Sequence, residues 1–276
     1  MFEDSKSLET SCYVLGFGAF GIFVRWMQLM IARNDEGLFD PSFWNVAVPA
    51  LLIIQAFTFL RIISKFKSER KYVPDSFFKS LKNEGKIYKL CRYAVSFIML
   101  AGSALLAIQC DADKNSVFLY ILACLGAVTA LSFPFILSSA NKPHNEHMGL
   151  ISFLSSLPIL LFGFWLITCY KQNSISSIGW SYVIELITAS CSMIAFFRVA
   201  GFAFGVPSWT NAMFWSMMGA ATCLMSLSDS RYIGQQIMLV GAALMLIMYI
   251  WIMISNMRKG RREDDSAADI NFEYVN

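Results

Sequence analysis

Arg25 and Glu185 are the charges whose setting needs explaining, because each stands inside a long apolar run: CYVLGFGAFGIFVRWMQLMIA for the arginine, SYVIELITASCSMIAFF for the glutamate. At 3.6 residues per turn, Gly18, Gly21, Arg25 and Gln28 fall at i, i+3, i+7 and i+10 and share one helix face. Glycines in an apolar helix let a neighbouring backbone approach closely, so this face is expected to pack against protein and to carry Arg25 inward. Glu185, Thr188 and Ser192 repeat the i, i+3, i+7 spacing as a second polar stripe. A charge enclosed among apolar helices meets an opposite charge or water, and Glu185 is the one acid inside any of the apolar runs. Counting residues from the matching ends of the two runs puts both side chains about 10 Å deep. The expectation is an Arg25–Glu185 ion pair with Gln28, Thr188 and Ser192 beside it. Such a pair either registers two helices or lines a path for an ion or small solute; the alternative is that each charge reaches the headgroups alone.

Other residues with chemical potential lead to less. GFGAFG at 16–21 matches the spacing of a dinucleotide-binding loop, but the glycines lie in mid-run with no strand before them and no βαβ pattern around them, so helix packing explains them better. His144 and His147 flank Glu146 in NKPHNEHMG. They offer two or three ligands where a closed metal site takes four, and a solvated loop is the competing reading. The seven cysteines show no C-x-x-C spacing. No G-x-S-x-G, H-E-x-x-H or Walker spacing occurs, and neither catalytic residues nor a cofactor are expected.

The elements that must hold these side chains follow from composition. Of 276 residues, 57% are hydrophobic and 15% charged, with a mean hydropathy of +0.54, which is too apolar for a domain that must cover itself with polar surface. The apolar residues gather into stretches of about 20, the length that crosses a bilayer core. Eight spans are read: 12–32, 43–64, 90–109, 116–137, 149–169, 179–203, 209–227 and 232–256. Only GFAFGVPSW (201–209) separates the sixth from the seventh, so seven is the alternative count. Pro49, Pro134 and Pro158 fall inside spans and are expected to kink them. The connection 65–89 holds Lys65, Lys67, Arg70, Lys71, Lys79, Lys82, Lys86 and Lys89, and the tail holds Arg258, Lys259, Arg261 and Arg262. Each opposite connection carries one basic residue, so the positive-inside rule places both termini in the cytoplasm. The acidic N-terminus has no cleavage site after the first run, which is therefore read as a retained span.

The expected fold is all-α: a polytopic helix bundle over 1–256 with about eight transmembrane helices and a flexible cytoplasmic tail over 257–276. PDSFFKSLKNEGK is read as a cytoplasmic amphipathic helix at about 75–84, started by Asp75 or Ser76, with Phe77, Phe78 and Leu81 against lipid and lysines facing out. Expected partners are the bilayer, anionic headgroups at the 65–89 loop and a membrane protein; the charge asymmetry is topological and gives no reason to expect nucleic acid. VRWMQ (24–28) followed by DEGLFDPSFW (35–44) resembles uncharacterised multi-pass membrane proteins of Gram-positive bacteria, a resemblance that implies a bacterial cytoplasmic membrane and no activity. Two functional classes remain. One is a non-catalytic scaffold, sensor or subunit of a membrane assembly; the other is a small-solute or ion transporter using the Arg25–Glu185 pair, although residues 1–138 and 139–256 show no internal repeat.

Overall fold

The computed structural model describes residues 5–32, 42–66, 76–83, 85–111, 117–141, 148–173, 182–229 and 231–273. Among them the secondary structure is entirely helical: α1 Ser5–Ile31, α2 Phe43–Lys65, α3 Phe77–Ser80, α4 Lys86–Asp111, α5 Val117–Ser139, α6 Met148–Asn173, α7 Val183–Ala203, α8 Trp209–Met225, a 3-10 turn Ser226–Ser228, and α9 Ile233–Glu273. Seven of these helices, α1, α2, α4, α5, α6, α7 and α9, are long and apolar enough to cross a membrane, which makes this a multi-pass membrane protein. α8 is separate from α7 but has only 17 residues.

The break between α7 and α8 has a local cause. Gly205 adopts φ +75, Val206 N–H donates to Gly201 O at 2.8 Å, and Gly205 N–H donates to Phe202 O at 3.4 Å. That is a Schellman stop, open to glycine because a side chain is strained at this φ, and Pro207 follows it.

α9 is the axis of the bundle: 72% of its apolar window is buried. α8 lies beside it with Met213, Met217, Ala220 and Cys223 fully enclosed. α4, α5, α6 and α7 form an arc around this pair, each against the next, with α4 on α9 and α7 on α8, while α1 packs on α8 and α9 and carries α2 on its outer side. Lipid supplies no hydrophobic drive between helices, so close approach has to hold them. The contact between α4 and α9 illustrates it. A Cβ at Gly102 would stand 2.7 Å from Met238 N, one at Gly241 3.0 Å from Met99 Cα, and one at Gly234 would overlap the Leu106 backbone.

The segment expected to lay its apolar side on lipid has two of those side chains covered by protein. α3 is a single turn capped by Ser76, whose Oγ accepts from Lys79 N at 3.3 Å. Phe77 and Leu81 are buried in the protein core instead. Asn256 Nδ2 donates to Ser80 O and Lys82 O, and Asn83 Nδ2 donates to Leu137 O, so the segment is sewn to the middle of α9 and the end of α5. These side-chain amides satisfy a backbone that has too few turns to satisfy itself. Lys79 and Lys82 remain exposed. α9 stays helical to Glu273, beyond the end at 256 read from hydropathy.

Replacing Gly102 by leucine forces a side chain against backbone that cannot swing aside. Gly102→Leu is expected to destabilise the detergent-purified protein by about 1–3 kcal/mol, the usual range for overpacking. Gly16→Leu, at a position with nothing within 4 Å, is expected to leave the thermal midpoint unchanged.

Candidate functional site: a buried charge network

The glycine face of α1 meets α8. A Cβ at Gly18 would stand 2.5 Å from Leu224 Cδ1, and one at Gly21 2.9 Å from Met225 Cβ. One turn further along that face, Arg25 is carried to where α8 ends, and it is only 1% exposed. There the chain tightens into the 3-10 turn, anchored to α1 by Ser228 Oγ donating to Ile22 O at 2.8 Å, and Asp229 follows. Arg25 Nε donates to Asp229 Oδ1 at 2.8 Å. Its Nη1 donates to Gln28 Oε1 at 2.6 Å, and Gln28 Nε2 donates to Asn45 Oδ1 at 3.0 Å, which brings in α2.

The second half of the network starts at the other oxygen of Asp229. Arg231 Nη2 donates to Asp229 Oδ2 at 2.8 Å, and Arg231 Nε stands 3.4 Å from Glu185 Oε2 at the start of α7. Glu185 Oε1 accepts from Trp165 Nε1 of α6 at 2.8 Å. Gln236 Nε2 donates to Asp229 O at 3.2 Å, which fixes the turn to the first turns of α9. The order is therefore Arg25, Asp229, Arg231, Glu185, Trp165. Among the described residues two guanidinium groups and two carboxylates alternate; both bonds to Asp229 are charge-assisted hydrogen bonds, the stronger kind, while Arg231 and Glu185 meet as an ion pair.

The expected Arg25–Glu185 pair is thus corrected: the carboxylate bonded to Arg25 is Asp229, and Arg231 stands between Arg25's partner and Glu185. The cause is that α1 packs on α8, so its inward charge meets the turn after α8 before it can reach α7. The polar stripe on α7 divides. Glu185 joins the network, whereas Thr188 Oγ1 donates to Thr222 O and Ser192 Oγ contacts Cys223 Sγ at 3.1 Å, both against α8. Gln28 is in the network as expected. His144 and His147 lie outside the described residues. Among those described, no group of three or more His, Cys, Asp or Glu is placed to hold a metal.

Asp229, Arg231 and Trp165 carry the site and do not stand out in the sequence. The available signal was SDSR (228–231), an acid and a base two residues apart in a connection too short to leave the bundle.

One feature leaves the network open to a further molecule. Arg231 has a 6% exposed side chain, yet its Nη1 is buried without a hydrogen-bond partner. The cleft of about 40 Å³ beside Arg25 and Gln28, between α1, α2 and α7, is walled almost wholly by apolar atoms, among them those of Val48, Leu52 and Ile187. Comparison with known proteins finds no matching family, no matching curated protein and no matching solved structure.

Removing one member of a buried pair strands the other, at a cost of about 3–5 kcal/mol. Arg25→Leu and Asp229→Leu are each expected to lose stability of that order in denaturant unfolding of the detergent-purified protein. The double variant should lose clearly less than the sum. Coupling between Arg25→Leu and Glu185→Leu is expected to be weaker; a stronger coupling there would contradict the order of the network.

Proposed function

We propose that this chain is a non-catalytic component of a bacterial cytoplasmic membrane, acting as a scaffold, sensor or subunit of a larger membrane assembly. The observation that carries this reading is the pairing of charges within this network: among the described residues Arg25 and Arg231 are set against Asp229 and Glu185, with hydrogen bonds reaching α2 and α6. Charges that neutralise one another register helices, the best attested role for buried ionic groups. A site built to carry a charged solute has to leave one charge for it. In this proposal α8 makes an eighth crossing. Its 17 residues reach about 26 Å at 1.5 Å each, the short end of what spans a bilayer core. Both termini then lie in the cytoplasm with the lysine-rich 65–89 connection, as the positive-inside rule expects. The resemblance of residues 24–44 to Gram-positive multi-pass proteins is the reason for choosing a bacterial membrane.

One observation favours transport of a small anion or other solute as the second reading. Arg231 Nη1 is a buried donor with no hydrogen-bond partner, and a solute could use it.

Affinity purification from native membranes separates the two readings. A stoichiometric membrane partner is expected; a lone protein that is thermally stabilised by small anions, with the stabilisation lost in Arg231→Gln, would replace the scaffold with the transporter. The topology is tested on a cysteine-free background in sealed cells. Cysteines at positions 37 and 173 should label from outside, and cysteines at 82 and 259 should not.

A further inference from the structure

α4 and α9 touch backbone to backbone at Gly102, Gly234 and Gly241, and nearer the lysine-bearing end Tyr88 OH donates across them to Ser255 Oγ at 3.4 Å. Between these contacts a groove of about 230 Å³ opens on the outer surface of the bundle, with Tyr88, Cys91 and Val95 on one wall and Leu244, Met248 and Trp251 on the other. Here α9, the most enclosed of the seven spanning helices, comes to the surface: Leu244 and Trp251 are only partly buried between fully buried neighbours. Its walls are almost wholly apolar, and its depth within the spans means that a hydrocarbon chain is what meets it.

The end of the groove is basic. Lys86 and Lys89 on the first turns of α4 and Lys259 on α9, two turns beyond Trp251, are exposed. Arg92, next to Cys91, is 2% exposed, and its Nε and Nη1 are buried without hydrogen-bond partners. No carboxylate among the described residues bonds it, so it adds a positive field from inside the protein, where screening is weak. Tyr88 and Trp251 in the groove and Tyr93 beside it are the residue types that settle at headgroup level. An apolar slot ending in positive charge matches one amphiphile: a lipid with a hydrocarbon chain and an anionic head.

We propose that the α4–α9 groove seats one acyl chain of an anionic phospholipid, whose phosphate is met by Lys86, Lys89 and Lys259. The site is distinct from the buried charge network and does not depend on the scaffold reading. Neutral lipid fits the slot but not its basic end, which makes headgroup charge the basis of selection.

Trp251 reports on the groove directly. The full-length protein is reconstituted with phosphatidylglycerol or phosphatidylcholine bearing dibrominated chains, and the Trp251 signal is taken as the difference from Trp251→Phe. Each basic residue near an anionic headgroup is worth about fivefold in affinity, so half-quenching by the glycerol lipid should need at least about tenfold less brominated lipid than by the choline lipid. The exposed triple variant Lys86→Gln, Lys89→Gln, Lys259→Gln keeps the groove and should lose the preference. Cys91→Phe fills the slot, keeps the lysines and should lose the quenching. Equal quenching by the two lipids, an unchanged preference in the triple variant, or full quenching in Cys91→Phe would each overturn the proposal.

Discussion

A guanidinium enclosed in an apolar bundle needs a carboxylate within hydrogen-bond reach, and this requirement at Arg25 organises one end of the molecule. Asp229 supplies the carboxylate, but it can do so only if α8 stops where it does and turns through Ser226–Ser228. Since a carboxylate has two oxygens, the second recruits Arg231, and Arg231 in turn requires Glu185. Each step adds a helix: α1, the α8–α9 turn, α7, and α6 through Trp165. No member of the series can be replaced alone without leaving a desolvated charge or donor behind. Among the described residues each of these charges faces one of opposite sign, which lets so polar a cluster exist in so apolar a chain.

Elsewhere the bundle is held by approach and shape. The glycines of α4 and α9 bring two backbones together without side chains between them, whereas Gly18 and Gly21 of α1 make room for the side chains of Leu224 and Met225 of α8. Around them methionines fill irregular space: Met213, Met217, Met238, Met245, Met253 and Met257 are all essentially enclosed. Unbranched thioethers suit helices that cross at varied separations. The aromatic stack of Phe196, Phe162 and Trp165 links the α6–α7 contact to the charge network, because the same Trp165 that ends the stack donates to Glu185.

Much of this was legible in the residue order. Apolar runs gave the long helices to within a few residues at most ends, since hydropathy reports directly on what can sit in lipid. Gly205 and Pro207 marked the break before α8. The spacing of Gly18, Gly21 and Arg25 correctly turned the arginine inward. Its partner was not legible, because matched depth cannot say which helices are neighbours, and Asp229 and Arg231 look like solvated loop residues until the shortness of their connection is taken into account. The 76–83 segment was misread for a related reason. Its amphipathic pattern says that Phe77 and Leu81 will be covered, and it cannot say whether lipid or protein will cover them.

The distance along the chain between Arg25 and Asp229 has a consequence for how the protein is made. The two are 204 residues apart, so at a synthesis rate of ~5–20 residues per second the arginine waits roughly 10–40 s for its partner to leave the ribosome. During that interval the first helix holds a charge without its final neighbour, and the aqueous headgroup zone is the favourable place for it. The last hairpin closes the structure in time as well as in space: a chain cut short before Asp229 leaves Arg25 without the carboxylate that it meets in the complete fold.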